Sequence, residues 1–177
     1  MESASPDWEL IVRTHGPMAF DTAWRLLSHV ADTEDVVQEA LLDAFRVHGR
    51  QSVVNWGGLL RHLATRRAID RLRKRCTIDP LPPEPPTFKR ASPKSQQPES
   101  VAVERELANR LRWAVAELPD RESSVFSLHY FGEMANSHIA ETLEISTDAV
   151  GVALHKARKK LKELLGLQEA ASRRSRS

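Results

Sequence analysis

Seven of the ten prolines of this 177-residue chain lie between Pro80 and Pro98. Proline fixes φ and has no backbone N–H, so a helix or a central strand does not continue through such a stretch. The stretch also has little apolar material to bury. It predicts a flexible linker over residues 76–100, partly extended in the polyproline manner. The linker divides the chain into residues 1–75 and 101–167, and a basic disordered tail follows at 168–177.

Apolar residues in both halves recur at intervals of three and four, the pattern of amphipathic α-helices, and neither half reads as β-strand. In the first half, Pro17 suits the first turn of a helix that runs to about Val30. A second helix follows, and a third begins after the Gly-containing break at 48–55. In the second half a helix ends at Pro119, and Asp120 is expected to cap the next one. The predicted fold class is all-α, with two small helical domains joined by the linker.

The last two predicted helices have the spacing of a helix-turn-helix, with a turn at 144–146 between a short helix and a longer one. Ser146 or Thr147 can cap the longer helix, and Asp148 in its first turn suits the helix dipole. A helix-turn-helix places the start of its second helix in the DNA major groove, although an ordinary helical hairpin has the same spacing. The candidate DNA contacts are Ser146, Thr147, Asp148, Gly151, Val152 and His155 for the groove, and Lys156, Arg158 and Lys159 for phosphates.

The 26 basic and 24 acidic residues are unevenly distributed. Residues 31–45, ADTEDVVQEALLDAF, hold five carboxylates and no Lys or Arg, whereas residues 61–75 hold seven basic residues and one acidic residue, Asp70. Such blocks indicate either solvated helix faces or a protein that meets a polyanion at one surface and a basic partner at another. Asp70 is expected to pair with neighbouring arginines and hold them in place. Trp56 is either a buried anchor or a residue that stacks on an unpaired base.

The composition argues against an enzyme and against a metal or cofactor site. The single cysteine, Cys76, excludes an internal disulfide and zinc sites built from several cysteines. The seven histidines are scattered, and the sequence has no Gly-rich phosphate loop and no spacing that suggests a catalytic triad. The N-terminus lacks a signal-peptide pattern, and no apolar run approaches the roughly 20 residues of a membrane span. We therefore expect a cytoplasmic protein with no catalytic residue, metal, cofactor or membrane insertion.

The order of these blocks resembles the extracytoplasmic-function (ECF) group of bacterial RNA polymerase sigma factors, in the sigma-70 family. ADTEDVVQEALLDAF is similar to the group's D-A-E-D-L-V-Q-E-x-F signature. LLRHLATRRAIDRLRKR is similar to the W-L-x-x-I-A-R-N-x-A-I-D-x-x-R-R pattern that follows it. The stretch LPDRESSVFSLHYFGEMANSHIAETLEISTDAVGVALHKARKKL looks like the group's second pattern, which ends in a helix-turn-helix. The resemblance covers about residues 8–75 and 104–166.

The resemblance implies a sigma factor that binds core RNA polymerase and directs it to promoter DNA. The acidic helix would dock on a coiled coil of the polymerase, the basic helix would open and read the minus-ten element, and the helix-turn-helix would read the minus-35 element. The implied polymerase contacts are Asp32, Glu34, Asp35, Gln38 and Glu39. The implied minus-ten contacts are Trp56, Arg61, Arg66, Arg67, Arg71 and Lys74. We expect a monomer when free and a nucleoid-associated protein when bound to polymerase, and the sequence leaves open whether an anti-sigma factor binds it.

Two departures from the pattern bear on DNA reading. Glu144 stands where the turn commonly has Gly, and because a non-Gly residue with positive φ is uncommon, we expect a strained or reshaped turn. Gly151, Val152 and Ala153 stand where basic or polar residues usually point into the groove. Upstream recognition is therefore expected to depend on phosphates and thymine methyl groups.

The alternative function is a stand-alone helix-turn-helix regulator that binds DNA without polymerase, as a dimer on a palindrome. Such a regulator needs an exposed apolar face for dimerisation. Once the predicted apolar stripes pack in the helical cores, we expect no such face to be left.

Overall fold

The computed structural model describes residues 6–78 and 98–166. These residues form seven α-helices and no β-strand, which confirms the all-α prediction. Most of the predicted linker, residues 79–97, and the predicted basic tail lie outside the described residues. The helices are α1 (Trp8–Leu27), α2 (Val30–His48), α3 (Trp56–Ile78), α4 (Pro98–Ala116), α5 (Asp120–Tyr130), α6 (Asn136–Leu143) and α7 (Thr147–Leu164).

Helix α1 passes through Pro17, so the prediction that Pro17 begins this helix was wrong. The helix begins at Trp8, and the Asp7 carboxylate caps it by accepting a hydrogen bond of 3.0 Å from the backbone N–H of Leu10. An interior proline costs a helix about 3 kcal/mol. Here Ile11 and Ala19, on either side of Pro17, are buried in one hydrophobic cluster. Tertiary packing of the apolar face therefore outweighs the local cost.

The first three helices pack on a core of small and branched residues. Asn55 closes the break before α3, because its side-chain oxygen accepts a hydrogen bond of 2.8 Å from the N–H of Gly58. The predicted break at 48–55 therefore corresponds closely to the observed connection between α2 and α3. The buried members of this core are Ile11, Ala19, Ala40, Ala44, Leu60, Leu63 and Ala64.

The helix-turn-helix has its own core, which lies between α5, α6 and α7. Ser146 caps α7 by accepting a hydrogen bond of 3.1 Å from the N–H of Ala149, as predicted. Glu144 takes the left-handed conformation at φ 53°, so the turn keeps the backbone shape that Gly would favour. Asp120 is not a cap; it is the first residue of α5, and Pro119 occupies the capping position without a side-chain hydrogen bond. The core residues are Val125, Leu128, Met134, Ile139, Ala140, Val150, Ala153 and Leu154.

A third buried cluster joins the two halves of the chain. It includes Leu26 of α1, Leu72 of α3, Val115 of α4, Phe126 of α5 and Leu161 of α7. Helix α3 lies at the centre, since it contacts α1 and α2 on one side and α4, α5 and α6 on the other. The two helical regions are therefore packed against each other.

Candidate docking and nucleic-acid interfaces

Three arginines of α3 face the carboxylates of Asp32, Glu39 and Asp43 on α2, and we call this set the arginine ladder. Arg71 lies 2.9 Å from Asp32, 3.5 Å from Glu39 and 3.8 Å from Asp35. Arg67 lies 2.5 Å from Asp43 and 3.3 Å from Glu39, and Arg75 pairs with Asp32. The ladder arises because Arg67, Arg71 and Arg75 are four residues apart and so share one face of α3.

The ladder pairs part of the negative charge of residues 31–45 with arginines of the same chain. The side chains of Asp32 and Asp43 are each only 19 % exposed. The hydrogen bond from Arg67 to Asp43 is the main reason why the pKa of the Arg67 guanidinium lies above its usual value. Asp70, which was expected to hold the arginines, is exposed and forms no ion pair among the described residues. The carboxylates of α2 hold Arg67, Arg71 and Arg75 instead.

A second face of α2 is exposed to solvent, and we call it the α2 stripe. It consists of the exposed residues Glu34, Gln38, Leu42 and Phe45, with Asp35 beside them. The side chains of Leu42 and Phe45 are 58 % and 60 % exposed, and their spacing places them in line with Glu34 and Gln38. The 3–4 spacing that continues from Glu34 to Phe45 is the signal that could have identified both apolar residues.

Trp56 belongs to an aromatic group at one end of the first half. Its ring centroid lies 5.2 Å from that of Trp8, edge to face, and 5.6 Å from that of His48. The Trp8 ring in turn packs 5.3 Å from Phe45. Trp56 is half-buried in this group, and part of its ring is accessible.

The other candidates for the minus-ten element lie in different environments. Arg61 is half-buried, and one of its guanidinium nitrogens lies 2.7 Å from the sulfur of Met18. Arg67 and Arg71 belong to the arginine ladder. Arg66 and Lys74 are exposed, and among the described residues neither has an ion-pair partner. The structure therefore does not bring the six candidates into one uniform basic surface.

The candidates on α7 and its cap form one accessible surface. Val152, an apolar residue, is 55 % exposed. A methyl group added at Gly151 would meet no atom of the described residues within 4 Å, so none of these neighbours requires Gly at this position. The exposed residues of this surface are Ser146, Thr147, Asp148, Gly151, Val152, His155, Lys156, Arg158 and Lys159.

Tyr130 positions one of these cations. Arg158 donates a hydrogen bond of 2.8 Å from Nε to the Tyr130 hydroxyl, and its guanidinium carbon lies 5.5 Å from the centre of the tyrosine ring. A cation at this distance from an aromatic face is attracted by the ring quadrupole. Tyr130 comes from α5, so sequence spacing around α7 could not identify it.

A cleft of about 370 Å³ lies between the two halves. Its walls include Arg66, Asp70 and Arg73 from α3, and Asp120 and Arg121 from α5. His62 also lines it, and burial, with a smaller contribution from Arg66, lowers the pKa of this imidazole to about 4. In the described ranges, no group of three or more His, Cys, Asp or Glu residues is arranged to hold a metal ion. Nor is any helix there both long enough and apolar enough to span a bilayer.

Two family models match the chain. The one described as Sigma-70 region 2 matches residues 11–76, and the one described as Sigma-70, region 4 matches residues 108–161. The first match contains α2, most of α1 and most of α3, and the second contains the helix-turn-helix.

Curated relatives match along most of the chain. The chain is 24 % identical over 174 residues to the ECF RNA polymerase sigma factor SigE of Mycolicibacterium smegmatis, covering 98 % of this chain and 67 % of that protein. It is 29 % identical over 167 residues to the ECF RNA polymerase sigma factor SigW of Bacillus subtilis, covering 88 % of this chain and 87 % of that one. Among solved structures, the chain is similar to the sigma factor RpoE of Bartonella quintana, which was crystallised with the anti-sigma factor NepR. The TM-score is 0.54 at 18 % identity, and the match covers 90 % of this chain and 97 % of that chain. At this identity the structural likeness concerns the fold alone.

Proposed function

The chain belongs to the sigma-70 family of RNA polymerase sigma factors, in its ECF group, and we propose that the α2 stripe is its polymerase-docking surface. As a sigma factor it binds core RNA polymerase and directs it to promoters, and it is a transcription regulator. The stand-alone regulator is not favoured, because both sigma regions match in their usual order.

The exposure of the α2 stripe is the observation that carries the docking proposal. Asp32 and Asp43 are occupied by the arginine ladder, whereas Glu34, Asp35 and Gln38 face solvent beside Leu42 and Phe45. A helix with apolar anchors and flanking acidic groups suits a basic helical partner, since apolar burial gives affinity and complementary charge gives orientation. Of the docking residues implied by the sequence, Asp32 and Glu39 then act through the ladder, which fixes α2 against α3.

We propose that α3 and α7 read the two promoter elements. Arg66 and Lys74 would contact phosphates of the minus-ten element, where cations add affinity but little sequence information. Trp56 offers the accessible part of its ring to an unstacked base. On α7, Val152 would contact a thymine methyl group in the major groove, while Lys156, Arg158 and Lys159 would hold the backbone.

The cellular setting follows from this role. We propose that the protein acts in the cytoplasm, at the nucleoid when polymerase carries it there. A protein inhibitor of the anti-sigma class is a further proposed partner, because the structural neighbour RpoE is seen with NepR.

A pull-down with core RNA polymerase tests the docking surface. The double variant Asp35→Arg with Leu42→Asp should lower polymerase binding at least tenfold, because it removes an apolar anchor and reverses a charge at the proposed surface. The matched control is Asp21→Arg with Val12→Asp on α1, which likewise reverses one charge and replaces one exposed apolar residue by Asp outside the stripe. Equal binding by the two double variants would show that the stripe is not the docking surface.

A further inference from the structure

Tyr130, the last residue of α5, holds its ring against neighbouring aromatic side chains. The ring centroid lies 4.5 Å from that of the buried Phe126 and 4.7 Å from that of His129, edge to face. Tyr130 itself is exposed, so its ring is anchored on one side and accessible on the other. Packed neighbours restrict the rotamers of a side chain. The hydroxyl of Tyr130 therefore has a defined position beside α7.

Arg158 of α7 uses only part of its guanidinium to reach this hydroxyl. Its Nε donates a hydrogen bond of 2.8 Å to the Tyr130 oxygen, and its guanidinium carbon lies 5.5 Å from the centre of the ring. A guanidinium also carries N–H donors on Nη1 and Nη2. In the part of the chain that the structure describes, these two nitrogens bond to no acceptor, and Arg158 is exposed.

The Tyr130 hydroxyl is also only partly used. A phenol oxygen accepts through its lone pairs and donates through its own proton. The oxygen accepts from Arg158, while its proton is donated to none of the described residues. Tyr130 and Arg158 thus present unused donors side by side at one point of the surface. Such a group of donors suits an anion with several oxygens, and a phosphate is the anion that an arginine fork fits.

Arg158 lies on the face of α7 that holds the proposed groove contacts. Gly151, His155 and Arg158 follow one another at intervals of four and three residues, so they share one face of the helix. From Gly151 to Arg158 the helix rises by roughly 10 Å, at about 1.5 Å per residue. The major groove of B-DNA is about 12 Å wide. With Gly151 in the groove, Tyr130 and Arg158 therefore reach the DNA backbone at the rim.

We propose that Tyr130 and Arg158 form a joint phosphate site at the rim of the minus-35 groove. Tyr130 holds Arg158 in place and donates its own proton to the same phosphate. The inference rests on the proposed role of α7, and it adds a residue from α5, the helix that precedes the helix-turn-helix. Because Arg158 is already held before DNA binds, less side-chain freedom is lost on binding.

Promoter binding by the complex of core polymerase and this chain tests the joint site. The probe is a fluorescent duplex that carries a promoter mapped by transcription with this chain, and its affinity is measured over a range of salt concentrations. Tyr130→Phe keeps the ring and removes a neutral donor. We expect it to lower the affinity about three- to tenfold and to leave the salt dependence unchanged.

Arg158→Gln should change the salt dependence as well as the affinity. Since it removes one charged phosphate contact, the slope of log K against log salt should become shallower by about 0.9. Lys160→Gln is the matched control, because it removes one positive charge from an exposed residue on another face of α7. Its affinity and its slope should stay close to those of the parent chain.

A double-mutant cycle shows whether the two residues act as one site. When Tyr130→Phe is combined with Arg158→Gln, the hydroxyl no longer has a cation to position. The combined loss of affinity should therefore be at least twofold smaller than the product of the two single losses. Thermal denaturation of Tyr130→Phe should give the parent Tm, because the ring packing is kept. A lowered Tm together with lost affinity would make Tyr130 a structural residue only and overturn the proposal.

A neutral phosphate analogue identifies the DNA group that the site binds. Single methylphosphonates, placed in turn along the minus-35 backbone, each remove one negative charge. We expect one position at which this change weakens binding by the parent chain and not by Arg158→Gln. If the parent and Arg158→Gln respond alike at every position, Arg158 contacts no phosphate there and the joint site is wrong.

The remaining outcomes separate this inference from the proposed role of α7. If Arg158→Gln changes the slope but Tyr130→Phe binds like the parent chain, or the two single losses multiply, the joint site is wrong and α7 keeps its proposed role. If Arg158→Gln and Lys156→Gln both leave the affinity and the slope unchanged, the proposed contact of α7 with minus-35 DNA fails as well.

Discussion

At the scale of single residues, the surroundings of Gly151 and His62 affect helix stability and the protonation of an imidazole. Gly151 is exposed on α7, and a methyl group added there would meet no atom within 4 Å in the part of the chain that the structure describes. Since Gly lowers helix stability, its presence at this point fits a close approach of the helix backbone to DNA. His62 lies in the cleft between the halves, where burial lowers the pKa of its imidazole and keeps the ring neutral.

Gly151→Ala should stabilise the free protein by about 1 kcal/mol, the difference in helix propensity between the two residues. The free energy of unfolding from urea denaturation measures this gain. In the same variant, binding to a minus-35 duplex by the polymerase complex should weaken if α7 has the proposed role, because the added methyl group would then occupy space where the backbone approaches DNA. A gain in stability with unchanged DNA binding would show that Gly151 has no role at the groove.

His62 should make the protein less stable in mild acid. The pKa of its imidazole is about 4 in the folded protein and about 6.5 in an unfolded chain, so between these values the unfolded chain binds more protons than the folded one. Above about pH 6.5 the His62 imidazole does not lower the free energy of unfolding. As the pH drops from there toward about 4, the free energy of unfolding decreases by up to about 3 kcal/mol. Comparing urea denaturation of the parent chain and of His62→Gln across this range isolates the effect. His138→Gln, which makes the same substitution at an exposed histidine, is the matched control.

At the scale of helices, the arginine ladder explains why α2 and α3 carry opposite charges. The sequence identifies both charged helices and the residues along them. It cannot show that Arg67, Arg71 and Arg75 point at α2, because that depends on how the two helices cross. The same limit applies to Tyr130, which reaches Arg158 across the α5–α7 contact. Sequence spacing describes faces within a helix, and only packing decides which faces meet.

Asp32→Asn should destabilise the protein by about 2 kcal/mol, because a largely buried carboxylate loses its charge-assisted bonds to Arg71 and Arg75. Asp35→Asn is the matched control, since Asp35 is 59 % exposed and 3.8 Å from Arg71. Exposed ion pairs contribute little to the free energy of unfolding, so Asp35→Asn should lower it by less than about 0.5 kcal/mol. Thermal denaturation of the two variants compares them, and equal shifts in Tm would show that the ladder does not stabilise α2 against α3.

At the scale of the whole molecule, the order of two sigma regions and the all-α class can already be predicted from the sequence. Caps such as Ser146 and the break before Trp56 depend on a few neighbouring residues, so local patterns predict them. The shared core is different, because Leu72 and Leu161 are far apart in sequence and each also belongs to the stripe of its own helix. A proline-rich connection suggests separation, but it does not prevent two apolar faces from closing on each other.

Transcription by core RNA polymerase, with and without this chain, tests the central claim most directly. Mapped transcript starts on a library of genomic templates should show new, promoter-specific initiation that requires both the chain and the α2 stripe, and Asp35→Arg with Leu42→Asp should abolish it. If no template shows specific initiation above core polymerase alone, the chain does not act as a sigma factor.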